Sequence, residues 1–414
     1  MNKNISIFKN LTVQILIAMI LGAILGIIIH QTKSVEFATS FSKSIKLLAT
    51  IFIRLVQMII APLVFTTLVV GIAKLGNLTT VGRIGGKAML WFFSASLVSL
   101  LVGMFFVNVL QPGVGLNLSN IDLNAASELA SKSKDFSIQG FVEHIIPKSI
   151  VEAMATNEIL QIVIFSIFFG LAAASIGEYT KPVIDFMEKV SHIVLKMVNY
   201  VMLFAPIGVF GAIAAVFAIK DVNELLFTYL RFFSSFLVGI ATLWVLLICV
   251  GFIFLRSRMK TLMSHIVSPM MIAFGTTSSE AVFPKLTEEL ERFGVKDKVV
   301  SFMLPLGYSF NLDGSMMYMT FASIFIAQAY GIHIDLATQF TMLIVLMLTS
   351  KGIAGVPRAS LVVVAATCGM FDIPVEGIAL ILPIDHFCDM FRSATNVLGN
   401  ALATSVVGKW EDES

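Results

Sequence analysis

Charge is what this chain has least of: only 13% of its 414 residues are Asp, Glu, Lys or Arg, about half of the ~25% usual for a soluble domain. The net charge is +2 and the basic residues are scattered, which excludes a nucleic-acid partner. Cysteine is scarce too. Cys249, Cys368 and Cys388 all lie in apolar surroundings and form no CxxC pair, which excludes a disulfide framework or a cysteine metal site. A Gly-x-Gly-Asp tetrapeptide is missing, which argues against an intramembrane aspartyl protease built on Asp313 with Asp385 or Asp389. What is abundant is apolar: 57% hydrophobic residues and a mean hydropathy of +0.92. The chain reads as a polytopic membrane protein.

About 20 apolar residues cross a bilayer. Runs of that order lie at Leu11–Ile29, Leu47–Ile72 with Pro62 inside, Ala88–Leu110, Ile159–Ile176, Ile193–Ala218 interrupted at Pro206-Ile207-Gly208, and Phe232–Leu255. The lysines before the first run resemble a signal peptide's, but the run is long enough to span and has no obvious small-residue cleavage site. The long polar segment Gly113–Glu152 holds five acids against three lysines and one histidine and reads as an external loop. Lys3 and Lys9, then Lys74, Arg83 and Lys87, then Arg256, Arg258 and Lys260 fall where alternating crossings put the cytoplasm. Both termini are therefore expected in the cytoplasm.

After Lys260 the pattern changes. Val267–Gly275 is half the length of a span and ends in Thr276-Thr277-Ser278-Ser279-Glu280, as a re-entrant hairpin would. Val299–Phe310 is broken by Asn311-Leu312-Asp313-Gly314-Ser315 before Met316–Ala329 resumes. Phe340–Leu348 is a second short run, ending in Thr349-Ser350-Lys351-Gly352-Ile353-Ala354-Gly355-Val356-Pro357. Two units thus follow one another, each a short hairpin with a polar tip and then a helix carrying an intramembrane acid. Paired interrupted segments point to a secondary transporter's binding site, because irregular backbone at membrane depth must line a cavity or be buried in protein.

The second of those helices carries Asp385, Asp389, Arg392, Asn396 and Asn400. At 100° per residue they share an arc of roughly 80°. Arg392 offers a fixed fork of donors that fits a carboxylate. Asp389, one turn earlier, can pair with it internally or take a ligand's ammonium group, and a ligand offering both groups is an amino acid. Asn311 and Asp313 bring oxygens to exposed backbone carbonyls, the ligand set of a hard cation. Glu280 at the first hairpin tip is a candidate proton carrier if burial raises its pKa. Asp385, His386, Cys388 and Asp389 do not converge as a metal site. Channels also use polar rings at the midplane, but nothing singles out a pore.

Taken together, Met58–Phe65, the serine-rich first hairpin, Asn311–Ser315, Ser350–Pro357 and Asp389-Met390-Phe391-Arg392-Ser393 with Asn396 resemble the dicarboxylate/amino acid:cation symporters, the family of glutamate and neutral amino acid transporters. The resemblance covers nearly the whole chain. It implies an all-α protein of eight transmembrane helices and two oppositely oriented re-entrant hairpins, working as a homotrimeric elevator in lipid. Residues 1–80 and 146–220 would be the scaffold. Residues 81–145 and 221–414 would be the transport domain, with hairpins at about 258–293 and 332–372. By similarity Arg392 binds the substrate's side-chain carboxylate and Asp389 its amino group. Ser393, Asn396, Ser278, Ser279, Ser315, Gly355 and Val356 assist, and Asn311, Asp313, Gly307, Asn396, Asn400, Ser350 and Ser96 hold cations.

The presence of Asp389, which dicarboxylate carriers of that family tend not to have, favours glutamate or aspartate over C4-dicarboxylates such as succinate, fumarate and malate. The expectation is a symporter of acidic amino acids in a bacterial inner membrane, not an enzyme, with no cofactor and with Na⁺ and/or H⁺ as coupling ion; a C4-dicarboxylate symporter is the alternative. Asn400 stands where sodium-coupled relatives often have aspartate. Phe92 and Ala95 replace a tyrosine and a threonine of another sodium site, and Glu280 replaces a small polar residue. All these departures bear on the coupling ion.

Overall fold

A computed structural model describes residues 11–75, 78–115, 146–219, 222–350 and 359–412. Among them every regular element is helical. The first three are α1 (Leu11–Thr32), α2 (Val35–Leu75) and α3 (Leu78–Leu110); then come α4 (Ile150–Thr156), α5 (Ile159–Ile176), α6 (Lys181–Met202), α7 (Ala205–Ile219) and α8 (Val222–Leu255). The C-terminal part holds α9 (Arg258–Thr276), α10 (Phe283–Phe293), α11 (Asp297–Phe310), α12 (Asp313–Ala329), α13 (Leu336–Thr349), α14 (Ala359–Met370) and α15 (Leu382–Asp412). Five stretches of these are long and apolar enough to cross a membrane by length and composition. One of them, Leu160–Met202, runs through both α5 and α6, and α7 and α13 are shorter apolar helices.

Several helices start ten or more residues before their apolar runs, α3, α6 and α8 among them; two of the differing boundaries have a clear physical reason. Helix α2 starts at Val35, twelve residues before the run at Leu47, because its first turns are rich in Ser, Thr and Lys. Those hydroxyls satisfy themselves locally: Thr39 Oγ1 donates to Val35 O at 2.8 Å and Ser44 Oγ to Ser40 O at 3.0 Å. Ser42 Oγ instead reaches across to Ala215 O of α7 at 2.8 Å. The fifth span breaks at Leu203-Phe204, not within Pro206–Gly208, and Pro206 sits in the first turn of α7, where its missing N–H costs nothing.

Helices α1, α2, α5, α6 and α7 pack chiefly on one another. Gly22 and Gly26 of α1 let it approach α7 so closely that a Cβ at Gly22 would stand 2.8 Å from Phe210 O, the small-xxx-small contact of membrane helices. Helix α12 is the opposite of a surface helix: every residue from Asp313 to Ala327 is buried, enclosed by α3, α8, α14 and α15. Large apolar side chains are exposed along α1, α3 and α8, among them Ile20, Leu90 and Ile253. Exposed apolar surface of that extent marks a protein or membrane contact.

In the C-terminal part α9 folds back on α10, and α13 on α14. Each pair is followed by a longer span, α11–α12 in one case and α15 in the other. The second hairpin's tip, with Gly355 and Val356, lies outside the described residues. Beyond the apolar part of α15, Glu411 clamps the start of α3: its carboxylate accepts from Arg83 Nη2 at 2.8 Å and Lys87 Nζ at 2.6 Å. Burial pushes the Glu411 carboxyl up, but the hydrogen bonds from Arg83 and Lys87 outweigh it and hold it below the usual carboxylate range. A depressed carboxyl stabilises the fold above its unfolded pKa, and that contribution is lost as pH falls through the lower folded value. Glu411→Gln is expected to lower the melting temperature of the detergent-solubilised protein by about 1–3 °C at pH 7, a difference that shrinks toward pH 3. An equal difference at both pH values would show that the carboxylate's charge is not involved.

Candidate functional site

Four members of the α15 stripe are interior. Asp385, Arg392, Asn396 and Asn400 are each 5% exposed or less, whereas the Asp389 side chain is 32% exposed. Arg392 Nη2 lies 2.8 Å from Asp389 Oδ1 and 3.2 Å from Asp385 Oδ1, so one nitrogen serves both acids. The guanidinium carbon sits 4.0 Å from the centroid of the Tyr318 ring, a cation–π contact in a desolvated setting. Tyr318 Oη in turn donates to Asp385 Oδ1 at 2.7 Å. Arg392 Nε and Nη1 are buried and have no hydrogen-bond partner. Their N–H groups are therefore available to an anion, and leaving such donors unmet is costly.

One turn further along α15, Asn396 ties it to the interrupted span. Its Oδ1 accepts from Gly314 N at 2.9 Å and Ser315 N at 3.3 Å, and its Nδ2 donates to Ser315 Oγ at 3.1 Å. The N-terminal N–H groups of α12 are orphans by geometry, and no side chain of α12's own N-cap residue meets them. Asn396 caps that helix from another one.

A second polar cluster fills the break itself. Asn311 Nδ2 donates to Asp313 Oδ2 at 3.2 Å and to Asn400 Oδ1 at 3.3 Å, and Ser99 Oγ of α3 donates to Asp313 Oδ1 at 3.2 Å. Asn311 and Asp313 are fully buried, and Asn311 Oδ1 has no hydrogen-bond partner. Ser96 Oγ donates to Phe310 O, the last carbonyl of α11, at 3.3 Å. Gly307 places its backbone directly against Asn400 Oδ1 and its own carbonyl accepts from Asn311 N at 2.7 Å. A carboxylate, two amide oxygens and helix-end carbonyls within one buried cluster are hard-cation chemistry.

The remaining sequence candidates are placed less centrally. Ser278 Oγ accepts from Ala281 N at 3.2 Å, closing the turn of the first hairpin tip, and Ser279 and Glu280 are half-buried beside it. The tip carries Thr277 in the left-handed region at φ 54°, uncommon for a β-branched residue. Ser393 is buried on α15. Ser350 Oγ turns back to Met347 O of its own helix at 3.3 Å and does not join the Asn311 cluster. Gly355 and Val356 lie outside the described residues.

Two contributors escaped the sequence reading. Tyr318 supplies both the ring under Arg392 and the hydroxyl on Asp385; a tyrosine in an otherwise apolar span, whose O–H needs a partner, was the available signal. Ser99 lies one turn from Ser96 on α3, on the same face.

The sodium:dicarboxylate symporter family profile matches residues 11–410. The chain is 38% identical over 415 residues to the C4-dicarboxylate transport protein of Bacillus subtilis (strain 168), covering 98% of this chain and 95% of that one. It is 40% identical over 420 residues to the C4-dicarboxylate transport protein of Pseudomonas fluorescens (strain Pf0-1), covering 98% and 90%. It is also 40% identical over 413 residues to the protein of the same name in Azorhizobium caulinodans, again covering 98% and 90%. These similarities overturn the expectation of glutamate or aspartate import drawn from Asp389. In the structure Asp389 pairs with a cation of its own helix, Arg392 Nη2, at 2.8 Å.

Proposed function

Because the chain belongs to the sodium:dicarboxylate symporter family, a family of cation-coupled membrane transporters rather than enzymes, we propose that it imports C4-dicarboxylates together with cations. The observation that carries this reading is Arg392, a buried guanidinium whose Nε and Nη1 donors are unmet. Such a group is suited to one carboxylate of the substrate. Ser393, Asn396, Ser315, Ser278 and Ser279, with Gly355 and Val356 from the second hairpin, complete the substrate site in this reading. The pocket of Asn311, Asp313, Asn400, Gly307 and Phe310, near Ser96 and Ser99, takes the cation, with Asn396 beside it; Ser350 would join only if the second hairpin moves.

The mechanism we infer is an elevator. Residues 1–80 and 146–220 form a static scaffold and a trimer contact, and residues 81–145 and 221–414 carry the site across the bilayer of the bacterial inner membrane with both termini in the cytoplasm. The packing of α1, α2, α5, α6 and α7 on one another supports that division. So does the exposure of Phe168 and Ile176 on α5, an apolar face suited to lipid or a second copy. Glu280, half-buried at the first hairpin tip, is a candidate for carrying a proton.

The test is uptake by proteoliposomes in which sodium and pH gradients are imposed independently. Radiolabelled succinate is expected to accumulate, with unlabelled fumarate and malate competing at least about tenfold better than aspartate or serine. Accumulation of aspartate without succinate would sink the dicarboxylate reading. Whichever gradient drives accumulation names the coupling ion.

A further inference from the structure

We propose that Val209 of α7 and Gly275 of α9 form a catch, a side chain seated in the gap over a glycine, which holds the moving part of the protein at one position against the scaffold. This deepens the elevator reading above and rests on it.

Polar bonds mark out the two groups of helices. In the scaffold group, Ser42 Oγ of α2 donates to Ala215 O at 2.8 Å and His30 Nδ1 of α1 lies 3.2 Å from Ala218 O, both in α7. Helix α3 comes before α4–α7 in sequence yet is bonded to the other group. Its Arg83 and Lys87 hold Glu411, its Ser99 holds Asp313, and its Asn108 Nδ2 donates to Gln339 Oε1 at 2.6 Å. Across the seam, Phe217 of α7 meets Phe387 of α15 edge-on with ring centroids 6.1 Å apart, and Val209 meets Gly275. A polar crossing lies at the end of the first hairpin away from its tip, where His192 of α6 faces Glu291 of α10. Apolar contact is non-directional, so where such a seam comes to rest has to be set by shape.

Shape singles out Gly275. A Cβ at this position would stand 2.5 Å from Val209 Cγ1 and 3.1 Å from Cγ2, far inside the ~3.5–4.0 Å separation of packed carbons. Other glycines approach a neighbour as closely, such as Gly22 on Phe210, Gly208 on Phe52 and Gly103 on Met317, but each of those contacts joins helices of one group. Among the described glycines, Gly275 is the one whose contact under 3 Å joins the two groups. Val209 is fully buried, and a helical valine strongly prefers a single χ1 rotamer, so it does not swing aside readily. Gly275 stands three residues before Ser278 at the hairpin tip. While the catch holds, that end of α9 stays against α7. A methyl group added here overfills the gap, and a seam able to slide relieves the clash by leaving this position.

Gly71 of α2 and Ser301 of α11 supply a gauge of that position, since a Cβ at Gly71 would stand 3.6 Å from Ser301 Cβ, within the ~3.5–4.5 Å of a disulfide. The experiment uses the full-length protein with Cys249, Cys368 and Cys388 changed to alanine and with Gly71→Cys and Ser301→Cys introduced. Copper phenanthroline is expected to cross-link it at a rate set by the time spent in the position described. Adding Gly275→Ala is expected to slow cross-linking by about tenfold. Adding Val209→Ala to that variant is expected to bring the rate back to within about threefold of the start, because the two changes share one contact. Val209→Ile, which enlarges the side chain from the α7 side, is expected to slow cross-linking as well and carries the test if melting temperatures show that Gly275→Ala does not fold. Rates unchanged by Gly275→Ala and Val209→Ile overturn the catch. So does a double variant as slow as Gly275→Ala alone, or a starting protein that never cross-links. Succinate uptake by the same protein tests the reading beneath: it is expected to stop on oxidation and return with dithiothreitol. Undiminished uptake by the cross-linked protein sinks the elevator, whatever the rates show about the catch.

Discussion

Arg392→Ala is expected to reduce dicarboxylate uptake by at least about 10²–10³-fold. The guanidinium is 2% exposed and sits between two carboxylates, at 3.2 and 2.8 Å. Removing one partner of a buried ion pair costs roughly 3–5 kcal/mol, because the other charge is left uncompensated, and each 1.4 kcal/mol is tenfold. On the proposed function the same deletion also removes the donors offered to the substrate, so binding is expected to fall even where the fold survives. Arg392→Lys is expected to recover little. An ammonium is a point charge with no planar face for the Tyr318 ring and no fixed fork for two acids and a ligand. Initial uptake rates in proteoliposomes, paired with melting temperatures of the same preparations, separate lost binding from lost fold. A variant that melts like the wild type and retains more than about a tenth of its uptake would place the substrate carboxylate elsewhere. Tyr318→Phe keeps the ring and loses only the 2.7 Å bond to Asp385, so its effect is expected to be much smaller.

The polar stripe of α15 and the Asn311–Ser315 break were legible because both violate a strong rule: polar groups at membrane depth have to be met. The five stripe residues do share one helix, and four of them are interior. What meets them was less legible, since Tyr318 and Ser99 come from α12 and α3, and one-dimensional periodicity does not say which helices touch. The early start of α2 was hidden for a different reason. Apolar runs mark the bilayer, not the helix, and serines that donate to their own helix's carbonyls need no membrane to form it. The substrate class was misread at Asp389 because i,i+3 spacing allows an internal pair and a shared ligand equally. The 2.8 Å separation from Arg392 shows the internal pair, which the spacing alone does not.

Gly399→Ala is expected to abolish cation-dependent uptake while strengthening the helix it sits in. On propensity alone alanine favours a helix interior over glycine by about 1 kcal/mol, so any loss has to come from contact. A Cβ at this position overlaps Asp313 Oδ2 and stands 2.9 Å from Asp313 Cγ and 3.3 Å from Asn311 Nδ2. The carboxylate therefore has to move, and with it go the bonds from Ser99 and Asn311, both at 3.2 Å. Asp313 is fully buried, so each lost hydrogen bond costs on the order of 1–3 kcal/mol. With the cation held at this break as proposed, two such losses are expected to weaken its binding by roughly 10²-fold or more. Asp313→Asn tests the charge separately from the shape. It keeps the side-chain volume but removes the anion, and is expected to leave substrate binding that no longer responds to the cation. The measurement is succinate binding titrated with sodium at fixed ionic strength, and again with protons at fixed sodium. An unchanged half-saturating concentration for both ions in Gly399→Ala would mean that the break between α11 and α12 is a structural turn, and that the coupling ion binds somewhere else.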